Sequence, residues 1–569
     1  MHLAWLVDLV VVLGYVGLIL GIGLHMGRRE ESLHDFALGG RSIPWWAVLA
    51  SIIAAETSAG TFFGTPGEAF AMRNFTFLQL SIGTIIARVL VSYIFIKPYY
   101  DHNVYSIYEY LSIRFGTLTR NAASALFLVT RVLASGARIY VAAIALVLVF
   151  ELVTGARPDA AHALLIYIVA SVIITVLTAI YTTLGGIKAV IWTDFIQATI
   201  MMGSALAAVV ILYFSIPNGW TGVKASFSTD HPLDLFFATG LNPARHGWDR
   251  VKGMFESEYT VFAIVASVFV TMAPHGTDQD MVQRMLTAKD IRRSRRSLIL
   301  SGLADIPIVL VFLSVGILLY AYYQAHPDPH RPVANPEIFC YYILHQLPAG
   351  MRGLLLAGIF STAMGSLGTA LNALATSFVR DWYLPYINPT AGDHGTLRAV
   401  RWATVAFAVL MIGVSSVTSF LVIQRAEQAR HQTELTQQAA AHPEQPALQA
   451  QANVAKPRDL RIIPIIIGIF GYTYGSLLGV FFVGMLTRTR GSDVGNVAAM
   501  VAGFVAVAIL TGLPNDLALI WGGQFYGQPD WLPVIEFPWR IMFGTLVTFA
   551  VAVCFRTPAH QLAGARTPA

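Results

Sequence analysis

Residues Phe360–Tyr383 read FSTAMGSLGTALNALATSFVRDWY. The stretch is long enough to cross a bilayer, which takes about 20 residues of helix. It is nonetheless written in Gly, Ala, Ser and Thr rather than in Leu, Ile and Phe. A helix that met only lipid would have no use for such residues. Small side chains let a second backbone come close, and their hydroxyls and carbonyls can face a partner or an ion. A companion stretch lies near the start of the chain, Ala50–Phe70, ASIIAAETSAGTFFGTPGEAF. It has the same small-residue character and carries an acid, Glu56, at membrane depth. The remaining chain reads as a scaffold that holds these two stretches against each other.

Of the 569 residues, 56% are hydrophobic and 12% charged. A soluble domain carries about a quarter charged residues, so this is a polytopic membrane protein. Its apolar runs are helix-length, not the ~10-residue alternating segments of a barrel. The net charge of +5 calls for no nucleic-acid partner, because cytoplasmic loops are enriched in Lys and Arg. Two cysteines, Cys340 and Cys554, near the ends of different predicted helices, read as structural and unpaired. The first apolar run, Leu3–Leu24, is too long for a signal core and lacks a clear cleavage site, so it counts as a span.

Hydropathy predicts about thirteen spans: 4–24, 44–70, 76–97, 119–153, 161–184, 187–214, 256–276, 297–323, 351–380, 399–423, 460–487, 494–512 and 537–555. The densest basic cluster is Arg284, Lys289, Arg292, Arg293, Arg295 and Arg296. Placing it in the cytoplasm also puts Arg28, Arg29, Arg41, Arg114, Arg120, Arg488, Arg490 and Arg556 there. The N-terminus is then outside and the C-terminus inside, in an inner or plasma membrane. The polar stretch 424–459 reads as an external insertion that forms a helical hairpin or stays loose. Loop 215–255 is expected to hold short helices, and Val104–Gly116 to lie along the cytoplasmic interface.

A carboxylate at membrane depth costs about 2.5–3.5 kcal/mol on insertion scales, so Glu56 needs a partner or a proton. Two readings stand. Glu56 takes part in ion or proton coupling, or it pairs with an intramembrane Arg and holds helices together. Arg88, Arg131 and Arg138 are the candidates. Arg131 and Arg138 are seven residues apart, on one helical face. A buried Arg binds a carboxylate through two parallel hydrogen bonds, so the leading ligand class for this face is an organic anion.

Four motifs in order resemble the sodium/solute symporter family of sugar, proline, pantothenate, sialic acid and monocarboxylate symporters. They are LGGRSIPWW (Leu38–Trp46), YTTLGGIKAVIWTDFIQ (Tyr181–Gln197), GTDQDMVQRMLTAKD (Gly276–Asp290) and YGSLLGVFFVGMLTRTRGSDVG (Tyr474–Gly495). The resemblance implies an all-α membrane fold of the leucine-transporter type, with a 5+5 inverted-repeat core. It divides the chain into a leading helix and loop (1–43), a first repeat (44–215) and an external loop (216–255). A second repeat (256–487) holds the 424–459 insertion, and two further helices and a tail follow (488–569). Interruptions at corresponding places, AAETSAG in the first repeat and the Pro-containing FAIVASVFVTMAPHG in the second, agree with that plan.

The resemblance also implies a Na⁺ site formed by the carbonyls of Ala54, Thr57 and Thr362 and the hydroxyl of Ser366. The second hydroxyl position falls on Gly365, which has none. Thr369, Thr57 by its side chain, or Glu56 would then supply the missing oxygen. Asp194 matches an acid associated with the sodium exit path and, in some members, with a second sodium. Helix position places Thr61, Thr84, Phe262, Ser267 and Tyr472 around the solute, beside Arg131 and Arg138. The expected activity is Na⁺-coupled symport of a small organic solute by alternating access, with no covalent chemistry. The expected partners are the bilayer and the solute, and the functional unit is a monomer. H⁺ coupling or an ion-independent carrier is the alternative, suggested by Gly365 together with Glu56. A solute sensor is disfavoured because the chain ends about fourteen residues after its last span. The sequence has no Walker loop and no trusted metal-ligand spacing among its histidines.

Overall fold

A computed structural model describes residues 2–26, 32–154, 158–227, 245–256, 259–332, 335–441, 462–511 and 535–558, with the single positions 233, 241 and 513. These residues are almost wholly helical. The main helices are α1 (His2–Met26), α2 (Trp45–Glu56), α3 (Ala59–Met72), α4 (Gln79–Ile94), α5 (Thr117–Thr154) and α6 (Ala160–Ser215). They continue as α7 (Ala263–Thr277), α8 (Gln279–Leu286), α9 (Ile291–Ala325), α10 (Met351–Phe378), α11 (Asp393–Ala441), α12 (Ile462–Leu486), α13 (Asp493–Thr511) and α14 (Phe537–Cys554). Among the described residues nine helices are long and apolar enough to span a membrane, or ten when the bent pair α2–α3 is taken as one span.

α10 carries the opening stretch, and it is the innermost of these. In its most apolar window 89% of residues are buried, against 22% in α1 and in α11. Its glycines explain how. A Cβ at Gly358 would meet Ser204 Oγ at 2.4 Å, one at Gly365 would meet Gln197 Oε1 at 2.8 Å, and one at Gly368 would meet the Tyr181 hydroxyl at 2.8 Å. All three partners lie on α6 and descend in number as α10 ascends, so the two run antiparallel in close contact.

α6 would be about 84 Å long as a single rod, far more than a bilayer needs. It is broken at Gly186 (φ 50°, ψ −153°), a backbone conformation essentially reserved for glycine. This is the Gly-Gly turn between the predicted spans 161–184 and 187–214. The α2–α3 pair bends by 58° at Thr57–Ser58, inside AAETSAG. α7 contains Pro274 and hands over to α8 at Asp278, whose carboxylate caps α8 through Asp280 N at 2.8 Å.

Two boundaries and one placement differ from the sequence reading. The helix predicted from residue 256 begins only at Ala263, and Gly247–Glu256 forms a separate short helix. The span predicted to end at 423 continues unbroken to Ala441, because the Gln- and Ala-rich start of the insertion favours helix; residues 442–459 lie outside the described set. The segment Val104–Gly116 contains the helix Tyr108–Arg114, but Tyr108 is fully buried and Arg114 is 8% exposed. Arg114 donates to the carbonyls of Thr487 and Arg490, so this segment is packed into the protein rather than laid on lipid. Arg284 departs too: it is fully buried and does not belong with the water-facing cations around it. Arg28 and Arg29 lie outside the described residues. Cys340 and Cys554 are both free.

Candidate ion and solute site

The break between α2 and α3 frees particular carbonyls. Ser58 N donates to Glu56 O at 3.0 Å, so the Ala54 carbonyl loses the donor that a continuous helix would bring. Thr61 N and Phe62 N both go to Ser58 O, at 2.9 and 3.0 Å, which removes the donor due to Thr57 O. Ala54 and Thr57 are both buried. On α10, the Thr362 hydroxyl donates to Ile359 O at 2.7 Å and the Ser366 hydroxyl to Ala363 O at 3.2 Å. Thr369 donates to the carbonyls of Gly365 and Ser366, at 3.2 and 3.1 Å.

Asp194 is fully buried on α6. Its Oδ2 accepts from the Ser51 hydroxyl at 2.5 Å and stands 3.8 Å from Arg284 Nε. Among the described residues its Oδ1 has no partner, and neither has Gln197 Oε1, one turn further along the same helix. Both oxygens face the missing side chain at 365: a Cβ there would lie 2.8 Å from Gln197 Oε1 and 3.4 Å from Asp194 Oδ1. Gln197 keeps its amide nitrogen on the Tyr15 hydroxyl at 3.2 Å, which aims the oxygen inward. Two buried acceptors without donors, side by side, suit a cation. In the sequence Gln197 is only the last residue of the Tyr181–Gln197 motif, and nothing local marks it as a ligand.

Glu56 ends α2, and both its oxygens accept from Arg88 Nη2, at 2.5 Å. Arg88, on α4, also donates to Ser301 Oγ of α9 at 2.6 Å. His275 Nε2 of α7 stands 2.8 Å from Glu56 Oε1, while its Nδ1 meets Thr271 O at 2.8 Å. Thr84 shares a 3.0 Å hydrogen bond with Thr271, so it belongs to this cluster. Glu56 thus ties α2, α4, α7 and, through Arg88, α9 together beside the break.

The two arginines of α5 differ sharply. Arg131 is 2% exposed and pairs with Asp278 at 3.1 Å and with Asp280; Tyr474 of α12 also donates to Asp278. Its charge is already matched. Arg138 makes no ion pair among the described residues. Its guanidinium lies over the Phe470 ring at 5.1 Å, and its Nε is buried without a partner. The other predicted lining residues scatter. Ser267 donates to Leu80 O at 3.2 Å and Ile264 O at 2.8 Å, in the α4–α7 contact. Tyr472 accepts from Arg540 of α14 at 3.4 Å. Phe262 is 37% exposed at the start of α7, and Thr61 is half-buried in α3.

Broken helices in a buried bundle, with inward oxygens that lack donors among the described residues, are the architecture of a multi-pass secondary carrier. Residues 36–394 match the Sodium:solute symporter family, and the chain belongs to it. It is 29% identical to the sodium/sialic acid symporter SiaT of Proteus mirabilis over 66% of this chain and 71% of that protein. It is 24% identical to the sodium/glucose cotransporter of Vibrio parahaemolyticus over 71% of this chain and 74% of that one. The fold matches a solved structure of a Na⁺-coupled sialic acid symporter in its substrate-bound outward-open state, with TM-score 0.73 and 22% identity, covering 96% of this chain and 97% of that one.

Proposed function

We propose that this protein is a Na⁺-coupled symporter of a small organic anion, working by alternating access through thirteen spans arranged as a 5+5 inverted repeat. The solute class rests on one observation, the contrast between the two arginines of α5. Arg131 is neutralised by Asp278 and Asp280. Arg138, on the same face, makes no ion pair among the described residues and lies over the Phe470 ring, and an anionic group would supply a countercharge and two parallel hydrogen bonds. The relatives reported above are named for sialic acid and for glucose, so the class is argued from Arg138 and not from their names.

The sodium ligands in this reading are the carbonyls of Ala54, Thr57 and Thr362 and the Ser366 hydroxyl. Gln197 Oε1 and Asp194 Oδ1 stand where Gly365 lacks an oxygen, and all of these are hard donors. Glu56 is held by Arg88, which makes it a helix tie rather than an ion ligand. The N-terminus is outside, the C-terminus cytoplasmic, and the working unit a monomer.

Uptake of labelled organic acids into proteoliposomes under an imposed sodium gradient is the test. Uptake is expected to need Na⁺, to vanish in Arg138→Ala, and to need about tenfold more Na⁺ in Ser366→Ala. Uptake indifferent to Na⁺ but driven by a pH gradient, and lost in Glu56→Gln, replaces the sodium reading with proton coupling. Unchanged solute affinity in Arg138→Ala ends the anion assignment.

A further inference from the structure

Asp381 lies just beyond α10, in the π-helical turn Val379–Ile387, and is fully buried. It is fifteen residues from Ser366, roughly 20 Å along the helix direction, so it is not part of the site described above. Three hydroxyls from three parts of the chain converge on its Oδ2. Ser106, ahead of the helix Tyr108–Arg114, donates at 2.8 Å, Ser124 of α5 at 2.8 Å, and Ser377 of α10 at 2.7 Å. All three serines are fully buried. The other oxygen, Oδ1, is buried and has no partner among the described residues.

The charge in this pocket is unbalanced. Arg380, the adjacent cation, is paired with Glu109 and lies over the Tyr105 ring at 4.9 Å. Arg120 donates to Asn121 and Tyr386. Among the described residues no Lys, Arg or His makes an ion pair with Asp381. Buried carboxylates are ordinarily paired or hold a metal ion, and one without a countercharge carries a desolvation penalty that hydroxyl donors offset only in part.

We propose that Asp381, Ser106, Ser124 and Ser377 form a second cation site, at the far end of the ion-site helix, for a hard monovalent cation. Oxygen is the only donor type present, which selects hard cations. One carboxylate balances a single positive charge, whereas divalent sites draw on more carboxylates. The hydroxyls have lone pairs to offer. Ser106 accepts from Tyr108 N at 3.3 Å and Ser124 from Trp382 Nε1 at 3.2 Å. Each has two acceptor sites, so one remains on Ser106 beside the proton given to Asp381; Ser124 and Ser377 also lie 3.2 Å from each other. A cation on Oδ1 would tie α5, α10 and the segment ahead of Tyr108 into one unit.

The test is thermal unfolding of purified full-length protein in the Ser366→Ala background, which weakens the first site so that the comparison with Asp381→Asn reads this one. NaCl, KCl and LiCl are compared with N-methylglucamine chloride at equal ionic strength. A shift of several degrees with at least one alkali ion is expected, absent in Asp381→Asn and needing about tenfold more ion in Ser124→Ala or Ser377→Ala. The serine variants keep the carboxylate and serve where Asp381→Asn does not fold. Alkali-ion stabilisation that is unchanged in Asp381→Asn overturns the proposal. So does a shift that follows pH alone, which would place a proton on Oδ1. Uptake that needs about tenfold more Na⁺ in Ser366→Ala while the alkali shift stays unmoved would support two separate sites.

Discussion

At the scale of single residues, the chemistry is decided by which buried charges have found partners. Glu56 illustrates this. Both oxygens of its carboxylate are on Arg88, with His275 close by. Removing one member strands the other in a low-dielectric surrounding. Glu56→Gln is therefore expected to lower stability by roughly 3 kcal/mol, and Arg88→Met to do the same. The double variant should recover a large part of that loss, because it buries no lone charge. Thermal unfolding of the four proteins measures the coupling; strictly additive losses would mean that the pair holds nothing. Arg131 and Arg138 make a second contrast. Arg131→Ala leaves Asp278 with the Tyr474 hydroxyl and Asp280 with Arg284 but removes the cation they share, so it should lower expression and stability. Arg138→Ala should be well folded and silent in binding. The pair was visible in the sequence as two cations on one helical face. Nothing in the spacing said which of them the acids of the Gly276–Asp290 loop would occupy.

At the scale of elements, two joints set the geometry. Gly186 breaks α6 with a backbone conformation that a Cβ forbids. Gly186→Ala should cost roughly 1–3 kcal/mol and disturb the second arm, on which Asp194 and Gln197 sit. Sodium-dependent uptake should fall with stability, and a variant of native stability and native sodium dependence would refute this account of the turn. The second joint is Asp8 of α1, which is 2% exposed. It accepts from Gly350 N and Gly353 N, at 2.7 and 2.8 Å, and from Arg352 Nε at 2.6 Å. The first two donors belong to the start of α10, where helix N–H groups lack internal partners. A leading helix thus caps the ion-site helix from outside. Asp8→Ala is expected to lower stability by about 2 kcal/mol or more. An Asp8→Asn variant, which keeps an acceptor, should lose less; equal losses would show that the charge matters and the cap does not.

At the scale of the whole molecule, the helices follow polarity. The lipid-facing sides carry Val10, Leu13, Trp402 and Val409, all more than half exposed. Arginines collect at the proposed cytoplasmic end, where Arg295 donates to Ser92 O at 2.8 Å and Arg296 lies over Trp45 at 4.0 Å. Sidedness is open to a direct measurement. In a background with Cys340 and Cys554 replaced by Ser, His162→Cys should react with an impermeant maleimide added to intact cells. Arg293→Cys should react only after the membrane is opened. The reverse pattern would invert the proposed topology.

What the sequence determined by itself was the membrane class, the helices and the central place of the Phe360–Tyr383 stretch. Those follow from hydropathy, helix length and side-chain size, which act locally and survive any arrangement of the bundle. The family was legible for a related reason, since its motifs are short and contiguous. Only the tertiary structure decided the partners. Gln197 reaches Gly365 across a helix contact, Glu56 meets Arg88 and His275 from three helices, and Asp381 collects hydroxyls from Ser106 and Ser124, which stand more than 250 positions away. Such contacts depend on the relative placement of helices far apart in the chain, and no local pattern of residues encodes that placement.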